Sequence, residues 1–178
     1  MASKHDFVSI RDLYLKLYNE SIEKRKELLH FGVEDWHSTL YEVALKVYND
    51  IKSIGVFLYP IYPIGDYFVD FGNPFKKVGI EILYKERQRQ ERLDCIEYFE
   101  KRGWTIYRLE SKHVEPSAEE LYRRENIDLE NPYLYEDENM FDFFEKHKDN
   151  NSECLIYYIR EKHSLSSTVL ASSDENDY

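Results

Sequence analysis

Apolar residues recur at helical spacing twice in the first third of the chain. Phe7, Ile10, Leu13, Tyr14, Leu17 and Tyr18 share one stripe, which predicts a helix from Asp6 to about Leu29. Leu40, Val43, Ala44, Val47 and Ile51 form a second stripe and predict a helix from about Thr39 to Ile51, with Thr39 and Glu42 spaced as a capping box. The pattern then shortens. Val56–Tyr62, Tyr67–Phe71 and Val78–Tyr84 read as strands, and Pro60 and Pro63 make the first an edge strand or end it early. Gly72-Asn73-Pro74 is a turn that joins the second and third strands as a hairpin. A charged helix from Glu86 to Arg102 buries Leu93, Ile96, Tyr98 and Phe99, Gly103 ends it, and Trp104–Leu109 is a fourth strand. Helix, hairpin, helix, strand predicts an α/β fold, a three-layer sandwich with a mixed central sheet whose last strand arrives through a crossover.

Beyond Pro116 the periodicity weakens. Ala118–Asn126 and Met140–Lys148 read as short helices, Cys154–Arg160 as a strand, and residues 164–178 as a polar, serine-rich, mobile tail. Charge shifts at the same place. Residues 1–114 balance 18 basic against 18 acidic side chains, whereas residues 115–178 hold 6 against 17 and so carry the whole net charge of −11. All six glycines lie at or before Gly103. The chain therefore divides into an N-terminal helix (1–35), a core (36–114), an acidic helix/strand extension (115–163) and a tail (164–178).

Composition narrows the function classes. An apolar share of 42% over 178 residues excludes wholesale disorder. No apolar run approaches the roughly 20 residues that span a bilayer, and the N-terminus has no apolar signal core. Cys95 and Cys154, the only cysteines, are too few for a disulfide framework or a cysteine-rich zinc site. A cytoplasmic, reducing compartment is expected. Gly-rich phosphate loops, nucleophile elbows and dinucleotide fingerprints do not occur. The acidic pI of about 5.0 argues against a general nucleic-acid binder, but Lys76, Lys77, Lys85, Arg87, Arg89 and Arg92 cluster within 17 residues and form a local basic patch.

Two carboxylates stand in that region. Asp70 lies between Val69 and Phe71, and Glu81 between Ile80 and Ile82. Strands with apolar residues on both faces are those of a sheet covered on each side. An ionised carboxylate buried there costs several kcal/mol unless it is paired or coordinated. A divalent cation shared between them removes that cost, and oxygen ligands suit Mg2+. Alternatively the two acids point into solvent, or pair with Lys76, Lys77 or a helix arginine.

This segment resembles the PD-(D/E)XK, or restriction-endonuclease-like, nuclease superfamily, near the very-short-patch-repair endonucleases. The residues concerned are Ser38-Thr-Leu-Tyr-Glu42, Val69-Asp70-Phe71, Val78-Gly-Ile-Glu81-Ile82 and Gly103-Trp104-Thr-Ile-Tyr-Arg108-Leu109, within residues 36–114. The resemblance implies a Mg2+- or Mn2+-dependent endonuclease, acting on DNA rather than RNA. Asp70, Glu81 and the backbone carbonyl of Ile82 would hold the metal. Glu42 would reach it through a bound water, and Lys76, Lys77, Arg87, Arg89 and Arg92 would hold phosphates. The family's lysine, two residues after the second acid, is Leu83 here; Lys85 would take over its role. Two alternatives stand beside this reading. One is a catalytically silent module of the same fold that binds nucleic acid or protein. The other is an acidic segment, residues 115–178, that mimics nucleic acid and occupies a basic surface, either on a protein partner or over this chain's own basic patch.

Overall fold

The structure is a computed structural model that describes residues 7–24, 36–85, 88–127 and 140–166. Its described elements run α1 (Phe7–Lys24), α2 (Trp36–Thr39), α3 (Glu42–Ile54), β1 (Tyr59–Ile64), β2 (Tyr67–Asn73), β3 (Val78–Leu83), α4 (Arg89–Glu100), β4 (Thr105–Glu110), α5 (Ala118–Glu125), α6 (Met140–His147) and α7 (Ser152–His163). The strands form one mixed sheet in the order β1-β2-β3-β4. β1/β2 and β2/β3 are antiparallel, whereas β4 runs parallel to β3 after the α4 crossover. Pro60 and Pro63 sit on β1, an edge, where their missing N–H groups interrupt no ladder on the outer side.

Helices cover both faces, an α/β arrangement compatible with a three-layer sandwich. All six residues of β3 are buried, as a strand covered on each side requires. Ile96 and Phe99 of α4 pack with Ile64, Val69, Leu83, Trp104 and Ile106 on one face. On the other, Val47 and Ile51 of α3 and Leu155, Ile156 and Ile159 of α7 meet Phe71, Ile80, Ile82 and Leu109. α1 lies along β1, where Tyr14 donates its hydroxyl proton to the Pro60 carbonyl and packs edge-on to Tyr62. Among the described residues no helix is long and apolar enough to cross a membrane.

Four expectations are corrected. Gly72 and Asn73 are not turn residues but the end of β2, paired with Gly79 and Val78, and the turn falls on residues 74–77. Cys154–Arg160 is not a strand but the middle of α7. The Asn151 side chain caps this helix by accepting from the Cys154 N–H (3.0 Å) and also donates to the Pro116 carbonyl (2.7 Å). Six consecutive residues, Cys154 to Ile159, are buried, because the sheet lies on one side of α7 and Phe144 stacks on Tyr157 on another (4.5 Å between centroids). Thr39 is not the N-cap of α3: it ends the short α2, and Tyr41 stands at the N-cap. β1 begins at Tyr59 rather than Val56, which instead bridges to Ser166. Residues 25–35, Glu86, Arg87 and the tail from residue 167 lie outside the described residues.

Candidate functional site

The β2–β3 ladder pairs Asn73 with Val78, Gly72 with Gly79 and Phe71 with Ile80, and then stops. Beyond that point side chains join the strands. The Ile82 N–H donates to Asp70 Oδ2 (2.7 Å), and the Asp70 N–H donates to Glu81 Oε2 (3.2 Å). β2 also changes course here. Strict alternation would place Val69 and Phe71 on one face, yet Val69 belongs to the α4-side cluster and Phe71 to the opposite one. Across from Asp70, between the pairs Pro60–Phe71 and Tyr62–Val69, Ile61 adopts φ 48°, a left-handed conformation that a β-branched residue rarely takes. Strain of this kind costs on the order of 1–3 kcal/mol and gathers at functional sites.

The two acids converge on one cation. Arg92 Nη1 donates to Asp70 Oδ2 and to Glu81 Oε1, both at 2.8 Å. Arg92 precedes Ile96 by four residues and Phe99 by seven, so the stripe that packs α4 on the sheet also aims the arginine at it. Its guanidinium lies 5.0 Å from the Tyr84 ring centre. Three residues earlier, Arg89 grips Glu110 of β4 with two bonds (2.9 and 2.6 Å), so the first turn of α4 is tied to three strands.

Burial sets the electrostatics. The Glu81 side chain is 4% exposed and that of Asp70 23%. Burial pushes the Glu81 carboxyl well above its ordinary range, the Asp70 charge pushes the same way, and Arg92 opposes both. Burial also raises Asp70, against Arg92 and the Ile82 N–H. Tyr84 is pushed up to about 12 by burial and the neighbouring Asp70. When both carboxyls are ionised, the triad keeps one negative charge in excess. It favours a proton or a further cation.

Asp70, Glu81 and the Ile82 backbone thus come together, and Arg92 joins them as a counter-ion rather than as a free phosphate ligand. The other candidates do not join. Leu83 is buried in the α4-side cluster, and Lys85 is exposed beyond the end of β3. Lys76 and Lys77 are exposed in the hairpin turn, with Lys77 four residues or roughly 13 Å along the strand from Glu81. Glu42 is exposed on α3, which covers the opposite face of the sheet. Among the described residues no lysine forms an ion pair with Asp70 or Glu81. Two hard oxygen donors suit Mg2+ or Mn2+, which fill the remaining positions with water and substrate. No group of three or more His, Cys, Asp or Glu suited to a metal ion occurs among the described residues. Arg89, expected to hold phosphate, is paired with Glu110 instead, and the site residues that the sequence did not point to are Tyr84 and Glu110. No family model, curated protein or solved structure matches the chain.

Proposed function

We propose that the chain is a Mg2+- or Mn2+-dependent endonuclease of the restriction-endonuclease-like kind, acting on DNA. The observation that carries this reading is the convergence of Asp70 and Glu81, from adjacent strands, on a single point 2.8 Å from each. Asp70, Glu81 and the Ile82 carbonyl would hold the cation, which supplies charge neutralisation and an acidified water when bound. The low exposure of Glu81 keeps bulk water from competing for the site. Arg92 is the strongest candidate for the phosphate contact that lysine makes in the family, since Leu83 cannot make it.

A second reading is favoured by the same arginine. If Arg92 is a permanent counter-ion and the buried Leu83 marks a lost catalytic group, the chain is a silent scaffold that binds nucleic acid or protein. Calorimetric titration with Mn2+, paired with plasmid cleavage, separates the two. Metal binding and nicking that both vanish in Asp70→Ala and Glu81→Ala support the enzyme. A metal-silent wild type that still binds duplex supports the scaffold.

A further inference from the structure

We infer that Arg92 is a displaceable gate that makes metal binding at Asp70 and Glu81 depend on a phosphodiester polyanion. This inference rests on the metal-site reading above. One guanidinium nitrogen occupies the point shared by the two carboxylates, bonded to Asp70 Oδ2 and Glu81 Oε1. A Mg2+ or Mn2+ ion that bridged Asp70 Oδ2 and Glu81 Oε1, at roughly 2.0–2.2 Å from each, would take the place of that nitrogen. At that bridging position guanidinium and metal exclude each other.

The arginine has somewhere to go. Its side chain is 24% exposed, so it is not sealed in as Glu81 is. Its guanidinium lies beside the half-buried Tyr84 ring, at 5.0 Å from the centre. Guanidinium binds phosphate with the same paired geometry it uses for carboxylate. A phosphodiester drawn to this surface competes for Arg92 and offers it an anion in exchange. Departure of Arg92 leaves two carboxylates facing one point with no counter-ion, a state that a divalent cation relieves. Polyanion and metal then bind with positive coupling. By reciprocity, each tightens the other by the same factor.

The test uses the full chain, Mn2+ and a short DNA duplex with a phosphorothioate backbone. Free Mn2+ is read by electron paramagnetic resonance and corrected for the ions the duplex binds alone. In wild type, Mn2+ affinity is expected to rise about tenfold or more when the duplex is present, within the span of ordinary inter-site couplings. In Arg92→Met, Mn2+ is expected to bind tightly without duplex and with no further gain on adding it. Arg92→Lys, which retains a cation but lacks the planar fork, is expected to fall between the two. It serves as the second variant if Arg92→Met does not fold. Equal Mn2+ affinity with and without duplex in wild type, or unchanged affinity in the variants, overturns the gate but leaves the metal site standing. Absence of Mn2+ binding in every protein, with or without duplex, overturns the gate and the nuclease reading together.

Discussion

The ion triad makes a stability prediction that does not depend on catalysis. Arg92→Met removes the guanidinium and keeps most of the aliphatic length that packs beside the Ile96 stripe. Losing one partner of a buried, hydrogen-bonded ion pair costs about 3–5 kcal/mol, because the remaining charge is left uncompensated. Here two carboxylates are left. Asp70 and Arg92 keep about a quarter of their side chains in solvent, which screens part of the loss, whereas Glu81 at 4% exposure has no such relief. A loss of about 2–4 kcal/mol near pH 8 is therefore expected.

The pH dependence fixes the origin of that loss. Both acids already have folded values above their ordinary range, so the fold favours their protonated forms. Their contribution to stability is complete below the unfolded carboxyl value of about 4 and is lost as pH rises through the raised folded values. Removing Arg92 takes away the group that held them down and raises them further. The gap between wild type and variant should widen with pH, by at most about 1.4 kcal/mol per pH unit for each proton involved. Urea unfolding followed by circular dichroism, near pH 5 and near pH 8, measures it. Adding Glu81→Gln to Arg92→Met should recover part of the loss, because the second buried charge is then gone. A loss below about 0.5 kcal/mol near pH 8, or one of equal size at both pH values, refutes the argument.

Two further outcomes follow from the opposite side of the sheet. Burial pushes Asp50 up to about 6, with Lys46 pulling against it and Glu153 adding to the rise. Its stabilising contribution is complete below about pH 4 and lost as pH rises through about 6, so Asp50→Asn should flatten the melting temperature against pH across that window; a profile parallel to wild type contradicts it. Asn151→Ala removes both the α7 cap and the bond to Pro116, at a cost of about 2–3 kcal/mol in urea unfolding, and a cost under about 0.5 kcal/mol would contradict the capping role.

What could be read from the chain depended on how local each signal is. The β2–β3 hairpin is legible as two apolar runs with a break between them, although Gly72 and Asn73 extend β2 and the turn falls on residues 74–77, and the parallel β4 follows from a helix inserted before it. These are short-range patterns with few alternatives. The stretch from Cys154 to Arg160 failed because α7 is apolar on nearly every side, and a helix buried that fully loses the period that distinguishes it from a strand. Its end signals remained in the sequence: Asn151 ahead of Ser152, and Arg160, Lys162 and His163 in the last turn. The helix start expected at Thr39 shifts because the chain breaks there into two helices, α2 ending at Thr39 with Trp36 buried and α3 starting after Tyr41.

The candidate site was half legible for a related reason. Asp70 and Glu81 stood out because each interrupts an apolar strand, which is a local anomaly. Arg92 figures only as one phosphate contact among several, because a run of lysines and arginines between residues 76 and 92 resembles a solvated face or a phosphate patch, and the alternative of a helix arginine paired with the acids names no residue. Its partners lie 22 and 11 residues away, and no local pattern encodes an ion pair across an interface between helix and sheet. One signal was nevertheless present. Arg92 stands four and seven residues before Ile96 and Phe99, the two α4 residues buried deepest against the sheet, and Arg89 stands seven before Ile96 on the same stripe, whereas Arg87 precedes Ile96 by nine. An arginine on the inward stripe of a helix that crosses two acid-bearing strands has a charge to neutralise there. Whether that charge is permanently spent on Asp70 and Glu81, or is surrendered to a phosphate, is the physical difference between a silent scaffold and an enzyme.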